Sequence, residues 1–141
     1  MAMITPPPFF DTNVLLYSIS RNPAEAEKRS RAVSLLRGDS GAMSVQVLQE
    51  FYTQATRTTR PHRIPHELAV GFIERWTRFR IQEMTMAILR AALEISAAYR
   101  FSYWDSAIIA AAQALGCREL YTEDMSDGQI VGGVRIVNPF R

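Results

Sequence analysis

The stretch Phe9-Phe-Asp-Thr-Asn-Val-Leu-Leu-Tyr17 decides the fold. Two phenylalanines make a short apolar strand, Asp11 ends it, and a second apolar run follows at once. Asp11 can serve as an Asx-turn residue with Asn13. A carboxylate between two apolar runs is also half-buried, and then needs a compensating cation. The same alternation continues outward. Asn22-Pro23 opens a helix as N-cap and N1 and Gly38 closes it, with Glu25/Arg29 and Glu27/Arg31 spaced as i,i+4 ion pairs. Gly41-Ala42-Met43 reads as a strand, and Ser44 caps a helix reaching about Arg57. Pro61 and Pro65 bracket a connection, after which Leu68, Phe72, Trp76 and Phe79 line one helical face. Arg80 to Met84 is extended, and Thr85 caps a helix bearing Ile88, Leu89, Ala92, Leu93, Ile95 and Tyr99. Ser102 caps another that ends at Gly116, followed by strands at Cys117 to Tyr121 and Val134 to Val137. Strands separated by helices predict an α/β fold with a parallel sheet, whose sites gather at the carboxyl ends of the strands.

The chain has 141 residues, a net charge of +2 and 48% hydrophobic residues, which suits one domain spanning 1–141 with a real core. That length is too short for a complete β/α barrel or a two-domain dehydrogenase. A lone Cys117 excludes a disulfide framework and a multi-cysteine zinc site. The opening Met1-Ala-Met-Ile-Thr-Pro lacks a charged segment and a long apolar one. The longest unbroken apolar run, Ala107 to Ala112, is far below the roughly 20 residues that cross a membrane. A soluble, cytoplasmic chain without membrane contact is expected. Among the 16 basic residues only Lys28 is lysine, and residues 57–80 hold six arginines against two glutamates. Genomic base composition or plain solubility accounts for arginine excess; a polyanionic partner does so as well, with Arg57, Arg60 and Arg63 as candidate RNA contacts.

Four acids stand out. Glu50 is the only acidic residue between Ser40 and His66, and on a helical wheel it falls off the centre of the apolar face, where a solvated position explains it equally well. Asp105 lies in Ser102-Tyr-Trp-Asp105, which fits a capping box, yet the helix that follows is apolar nearly all round and therefore buried. Asp124 falls early in Tyr121-Thr-Glu-Asp-Met-Ser-Asp-Gly128, with Glu123 and Asp127 as reserves for the same role. Two carboxylates roughly 4 Å apart repel by about 4 kcal/mol at an effective dielectric of about 20. That is a large share of a domain's net stability of about 5–15 kcal/mol. A hard divalent cation resolves the conflict, and oxygen-only ligation favours Mg²⁺, with Mn²⁺ possible. His62 and His66 fall in the basic segment and are read as facing solvent.

Taken together, Phe9 through Tyr17, Ser44 through Tyr52, Tyr103-Trp-Asp-Ser-Ala-Ile-Ile109, Leu120-Tyr-Thr-Glu-Asp124 and Val134 through Phe140 resemble the PIN domain, most closely the VapC-type ribonuclease toxins of bacterial toxin–antitoxin pairs. The resemblance covers essentially the whole chain. It implies a three-layer α/β/α fold with a short parallel sheet and a metal-dependent acidic site. Asp11, Glu50, Asp105 and Asp124 match the family's acidic positions, with Asp11 and Asp105 as direct metal ligands. Asn13 and Thr122 match its supporting polar positions. The implied chemistry is Mg²⁺-dependent hydrolysis of RNA phosphodiesters, leaving a 5′-phosphate and a 3′-hydroxyl. The implied partners are an RNA substrate, a cognate antitoxin and a second copy of the chain.

Two rivals make different demands. A haloacid-dehalogenase-type phosphohydrolase needs Asp-x-Asp and a later lysine; here the second position is Asn13 and the only lysine is Lys28. A non-catalytic RNA-binding module has no need of all four acids.

Overall fold

The structure is a computed structural model that describes residues 5–141; the reading of the opening segment as free of a targeting signal lies partly on residues 1–4, outside the described residues. Strand β1 (Phe9–Phe10) runs into helix α1 (Thr12–Ser18), a 3₁₀ turn (Pro23–Glu25) and α2 (Ala26–Leu35). Strand β2 (Ala42–Ser44) feeds α3 (Val45–Ala55), which is followed by α4 (His66–Trp76) and β3 (Arg80–Gln82). Helices α5 (Met86–Tyr99) and α6 (Tyr103–Ala114) precede β4 (Glu119–Tyr121), β5 (Ile130–Val131) and β6 (Val134–Val137).

The strands form one sheet in the order β3-β2-β1-β4-β6-β5. All pairings are parallel except β5 with β6, a hairpin turned by Gly132 and Gly133 at φ of 54° and 84°. The expected parallel sheet is thus mixed at one edge. Two residues between strands, both glycine with positive φ, are what such a turn requires. Helices flank the sheet: α1 packs on α2 and α3, and α5 packs on α6, which lies against β2, β3, β4 and β6. The core closes around Phe9, Phe10, Val14, Leu15, Met43 and Phe51, all fully buried. At Gly41 a Cβ would come within 2.5 Å of the Phe10 ring and 2.9 Å of the Phe79 ring, so only glycine lets β2 approach these rings.

The expected caps are in place. Asn22, Ser44, Thr85 and Ser102 each accept a backbone N–H at the start of a helical turn. The ion pairs expected on α2 are not formed among the described residues, which hold only Lys28–Glu123, Arg78–Asp39 and Arg141–Asp127. Because the first turn is 3₁₀, Glu25 accepts from the Ser20 hydroxyl instead, and Arg31 donates to the Pro139 carbonyl. Leu68, placed on the apolar face of its helix, is exposed, as are Leu93 and Tyr99 on α5. His62 and His66 are exposed, as expected. No helix among the described residues is long and apolar enough to cross a membrane.

Candidate active site

Chain order fixes where chemistry can occur. From β1 the chain crosses to β2 on one side, whereas β4 pairs with β1 on the other. The carboxyl ends of β1 and β4 therefore flank the point where the winding reverses, and such points leave a crevice. Asp11 directly follows β1, and Thr122 directly follows β4; the Asp11 amide donates to the Tyr121 carbonyl at 3.0 Å. β2 ends beside them and leads into α3, which carries Glu50. The start of α6 contributes Asp105. A cleft of about 130 Å³ is lined by Asp11, Asn13, Glu50, Asp105 and Asp124, with Leu16 and Ile108 as apolar walls. Carboxylates 113 positions apart in sequence thus share one space.

Neutral donors hold the carboxylates of Asp11, Glu50 and Asp124. Asp11 is the N-cap of α1, accepting from the Thr12 amide at 2.7 Å and from the Thr122 hydroxyl at 2.8 Å. Glu50 accepts from the Thr12 hydroxyl at 2.7 Å and from Gln46 Nε2 at 3.0 Å. Asn13 Nδ2 donates to Asp124 at 3.0 Å and to the Thr122 hydroxyl at 3.1 Å. At the head of α6, Ser102 Oγ accepts from the Asp105 amide at 3.1 Å. The choice among three acids after β4 resolves on contacts. Glu123 turns away to Lys28 at 2.6 Å and to the Tyr17 hydroxyl, and Asp127 caps the Asn138 amide and meets Arg141. Only Asp124 of the three lines the acidic cleft.

Sequence reasoning missed Thr12 and Gln46. Gln46 is one helical turn before Glu50, an i,i+4 signal that was there to be read. Thr12 had none, because its partner comes from another element. Gln46 Nε2 also donates to the Trp104 carbonyl at 3.2 Å, joining α3 to the turn that bears Asp105, while Gln46 Oε1 is buried without a partner. Of the basic candidates, Arg60 lines a cleft that shares Leu16 with the acidic one, Arg63 lines a cleft farther along that shares no residue with it, and Arg57 is exposed and lines neither.

The electrostatics are those of crowded acids. Asp11 is only 5% exposed, and burial pushes its carboxyl up to about 7. The Thr122 hydroxyl and Thr12 amide oppose this shift, and the charges of Glu50 and Asp124 add to it. Burial also raises Asp105, against the Ser102 hydroxyl and together with the charges of Asp124 and Glu50. Glu123 shows the contrast: burial opposes its ionisation, but Lys28 and Tyr17 outweigh it and hold the carboxyl low. No arginine or lysine pairs with Asp11, Glu50, Asp105 or Asp124 among the described residues. Among the described residues, no three His, Cys, Asp or Glu side chains stand close enough together to hold a metal ion by themselves. An open, all-oxygen set with one buried carboxylate suits a small hard cation that keeps several of its waters, as Mg²⁺ does, better than it suits a fully dehydrated ion.

No curated protein sequence matches the chain. Solved structures do. A toxin–antitoxin complex from Klebsiella pneumoniae matches with a TM-score of 0.68 at 20% identity, covering 94% of this chain and 97% of that one. VapC20 of Mycobacterium tuberculosis, described as a toxin cleaving the sarcin–ricin loop, matches with a TM-score of 0.66 at 21% identity over 91% and 98%. DNA-bound VapBC from Salmonella typhimurium matches with a TM-score of 0.64 at 18% identity over 94% and 97%. At such identities the likeness is one of fold. The sequence itself matches a family model, that of the PIN domain, over residues 9–126. That span opens on the strand leading into Asp11, takes in Glu50, Asp105 and Asp124, and leaves out the β5–β6 hairpin, so the chain belongs to the PIN domain family.

Proposed function

We propose that this chain is a metal-dependent endoribonuclease, acting as one domain in the cytoplasm as the toxin of a VapC-type toxin–antitoxin pair. The observation that carries the reading is the cleft at the β1/β4 crossing, where Asp11, Glu50, Asp105 and Asp124 meet without a basic partner among the described residues. Membership of the PIN family and the likeness in fold to VapC20 and to toxin–antitoxin complexes support it.

Asp11 and Asp105 would hold Mg²⁺ or Mn²⁺, with Glu50 and Asp124 ligating or orienting water. When bound, the cation offsets charge on the phosphodiester's non-bridging oxygens and makes water a stronger nucleophile. The protein's own part is positioning. Thr122 and the Thr12 amide fix both oxygens of Asp11, Thr12 and Gln46 fix Glu50, and Asn13 fixes Asp124. Glu50 and Asp124 would orient a water for attack on phosphorus, with the P–O3′ bond breaking to leave a 5′-phosphate and a 3′-hydroxyl. A cognate antitoxin and a second copy of the chain are the proposed protein partners.

The test is cleavage of single-stranded RNA by the purified chain with Mg²⁺, with EDTA, and with Asp11→Asn and Asp105→Asn. Loss of cleavage in EDTA and in both variants is expected; undiminished cleavage by both variants would sink the assignment.

A further inference from the structure

Helix α1 begins at the acidic cleft and ends at Ser18, roughly 10 Å away at about 1.5 Å per residue. The chain beyond that end, through Arg21, meets α2 and the loop after α3. Three clefts adjoin there. One of about 440 Å³ lies between Arg21 and Arg29. One of about 250 Å³ lies between Leu16, Arg21 and Arg60, and one of about 300 Å³ between Arg21, Arg29 and Arg63. Arg21 therefore lines all three, and Leu16 lines both the second cleft and the acidic one.

None of these four arginines forms an ion pair among the described residues. The one carboxylate in these walls, Glu25, accepts from the Ser20 hydroxyl at 2.6 Å and leaves the four arginines in excess. The loop is bent to bring the charges together: His62 adopts φ 58°, a left-handed conformation that penalises any side chain, and Arg21 Nη2 donates to its carbonyl at 3.3 Å. Four like charges gathered this way gain from a polyanion.

We propose that this arginine cleft is the track for the RNA backbone. The strand crosses the acidic centre and continues along α1 over Leu16, where Arg21 and Arg29, with Arg60 and Arg63, hold its phosphates. Guanidinium forks match phosphate oxygens in pairs. RNA is favoured over an acidic peptide because the cleft runs by way of Leu16 into the acidic centre, where the ribonuclease reading places a phosphodiester. This inference rests on the ribonuclease reading and extends it to residues outside the arginine-rich segment.

The test uses labelled single-stranded RNA bound to the Asp105→Asn chain with Mg²⁺ over a salt series. Each lost phosphate contact flattens the slope of log affinity against log salt by about 0.7 for single strands. Arg21→Gln with Arg29→Gln is therefore expected to flatten it by about 1.4, whereas Arg21→Lys keeps it, since a point charge still displaces a counterion. On the active chain the double substitution should raise KM more than it lowers kcat. Arg29→Gln alone spares the His62 contact and guards against misfolding of the double variant. An unchanged slope and KM in a double variant that melts with the parent overturns the track. So does weakened binding of a poly-glutamate peptide with RNA binding intact, which would make the cleft a protein-docking face. Flattening of the slope in a chain whose parent never cleaves RNA supports the track and instead refutes the nuclease reading.

Discussion

The Thr122 hydroxyl donates to Asp11 Oδ2 at 2.8 Å, from a residue that is itself fully buried. The Thr122 Oγ1 atom also accepts from Asn13 Nδ2 and from the Asp124 amide, both at 3.1 Å. One side chain thus ties the loop after β4 to the acid after β1. Thr122→Val keeps the shape and removes the hydroxyl, leaving a buried carboxylate short of a donor. The expected loss in urea unfolding is about 1–3 kcal/mol, and Thr122→Ser should restore most of it.

Asp11 carries a stability signature in pH. Its carboxyl lies near 7 in the folded chain against 3.8 when free, so between these values the folded state binds more protons than the unfolded one. Stability of the metal-free protein should therefore be highest below pH 4 as far as this group is concerned, and fall as pH rises to about 7. The fall is at most on the order of 4 kcal/mol. Asp11→Asn should remove that component, so the difference between the two denaturation curves isolates it. Saturating Mg²⁺ should flatten the parent's profile; a parent and variant with parallel profiles would contradict the assignment.

Gln46 acts through Glu50 and through the turn bearing Asp105. Gln46→Leu takes away both bonds together with the orphaned Oε1, and Glu50 keeps the Thr12 hydroxyl, so a loss of about 1 kcal/mol with the fold retained is expected. Losing the support of a group that orients an acidic ligand typically costs about 10–100-fold in metal affinity or activity. A Mg²⁺ titration of RNA cleavage reads this effect, and an unshifted midpoint with unchanged kcat would remove Gln46 from the site.

The head of α6 separates capping from chemistry. Ser102 Oγ caps the Asp105 amide, and that half of the capping box belongs to Ser102. Ser102→Ala should cost about 1 kcal/mol with or without metal. Asp105→Asn in metal-free buffer should cost little, because it relieves repulsion from Asp124 and Glu50. Calorimetry with and without Mg²⁺ distinguishes them: the parent gains stability from the ion and Asp105→Asn gains less. A loss of several kcal/mol in metal-free Asp105→Asn would make the aspartate a cap.

Much of this was legible in the residues, for identifiable reasons. Capping is local, so Asn22, Ser44, Thr85 and Ser102 announced their helices. Helix α1 was not announced, because Val14, Leu15 and Leu16 are consecutive and all buried, which erases the period that marks a helix. Strand β5 is two residues long, and its clearest sign was the Gly132-Gly133 turn rather than its own composition. Glu50 looked peripheral on a wheel because its donor, Thr12, arrives from a different helix. The arginine-rich window gave Arg60 and Arg63 but not Arg21 and Arg29, which only folding brings beside them.

The pairing of β1 with β4 has a consequence in time. Asp11 leaves the ribosome more than 100 residues ahead of its hydroxyl donor Thr122 and its neighbour Asp124. The sheet neighbour that positions them, β4, sits between β1 and the later-made β6. Domains fold as units once their sequence is available. A growing chain therefore carries scattered carboxylates and no centre, and the acidic cleft closes only once Thr122 and Asp124 have been made.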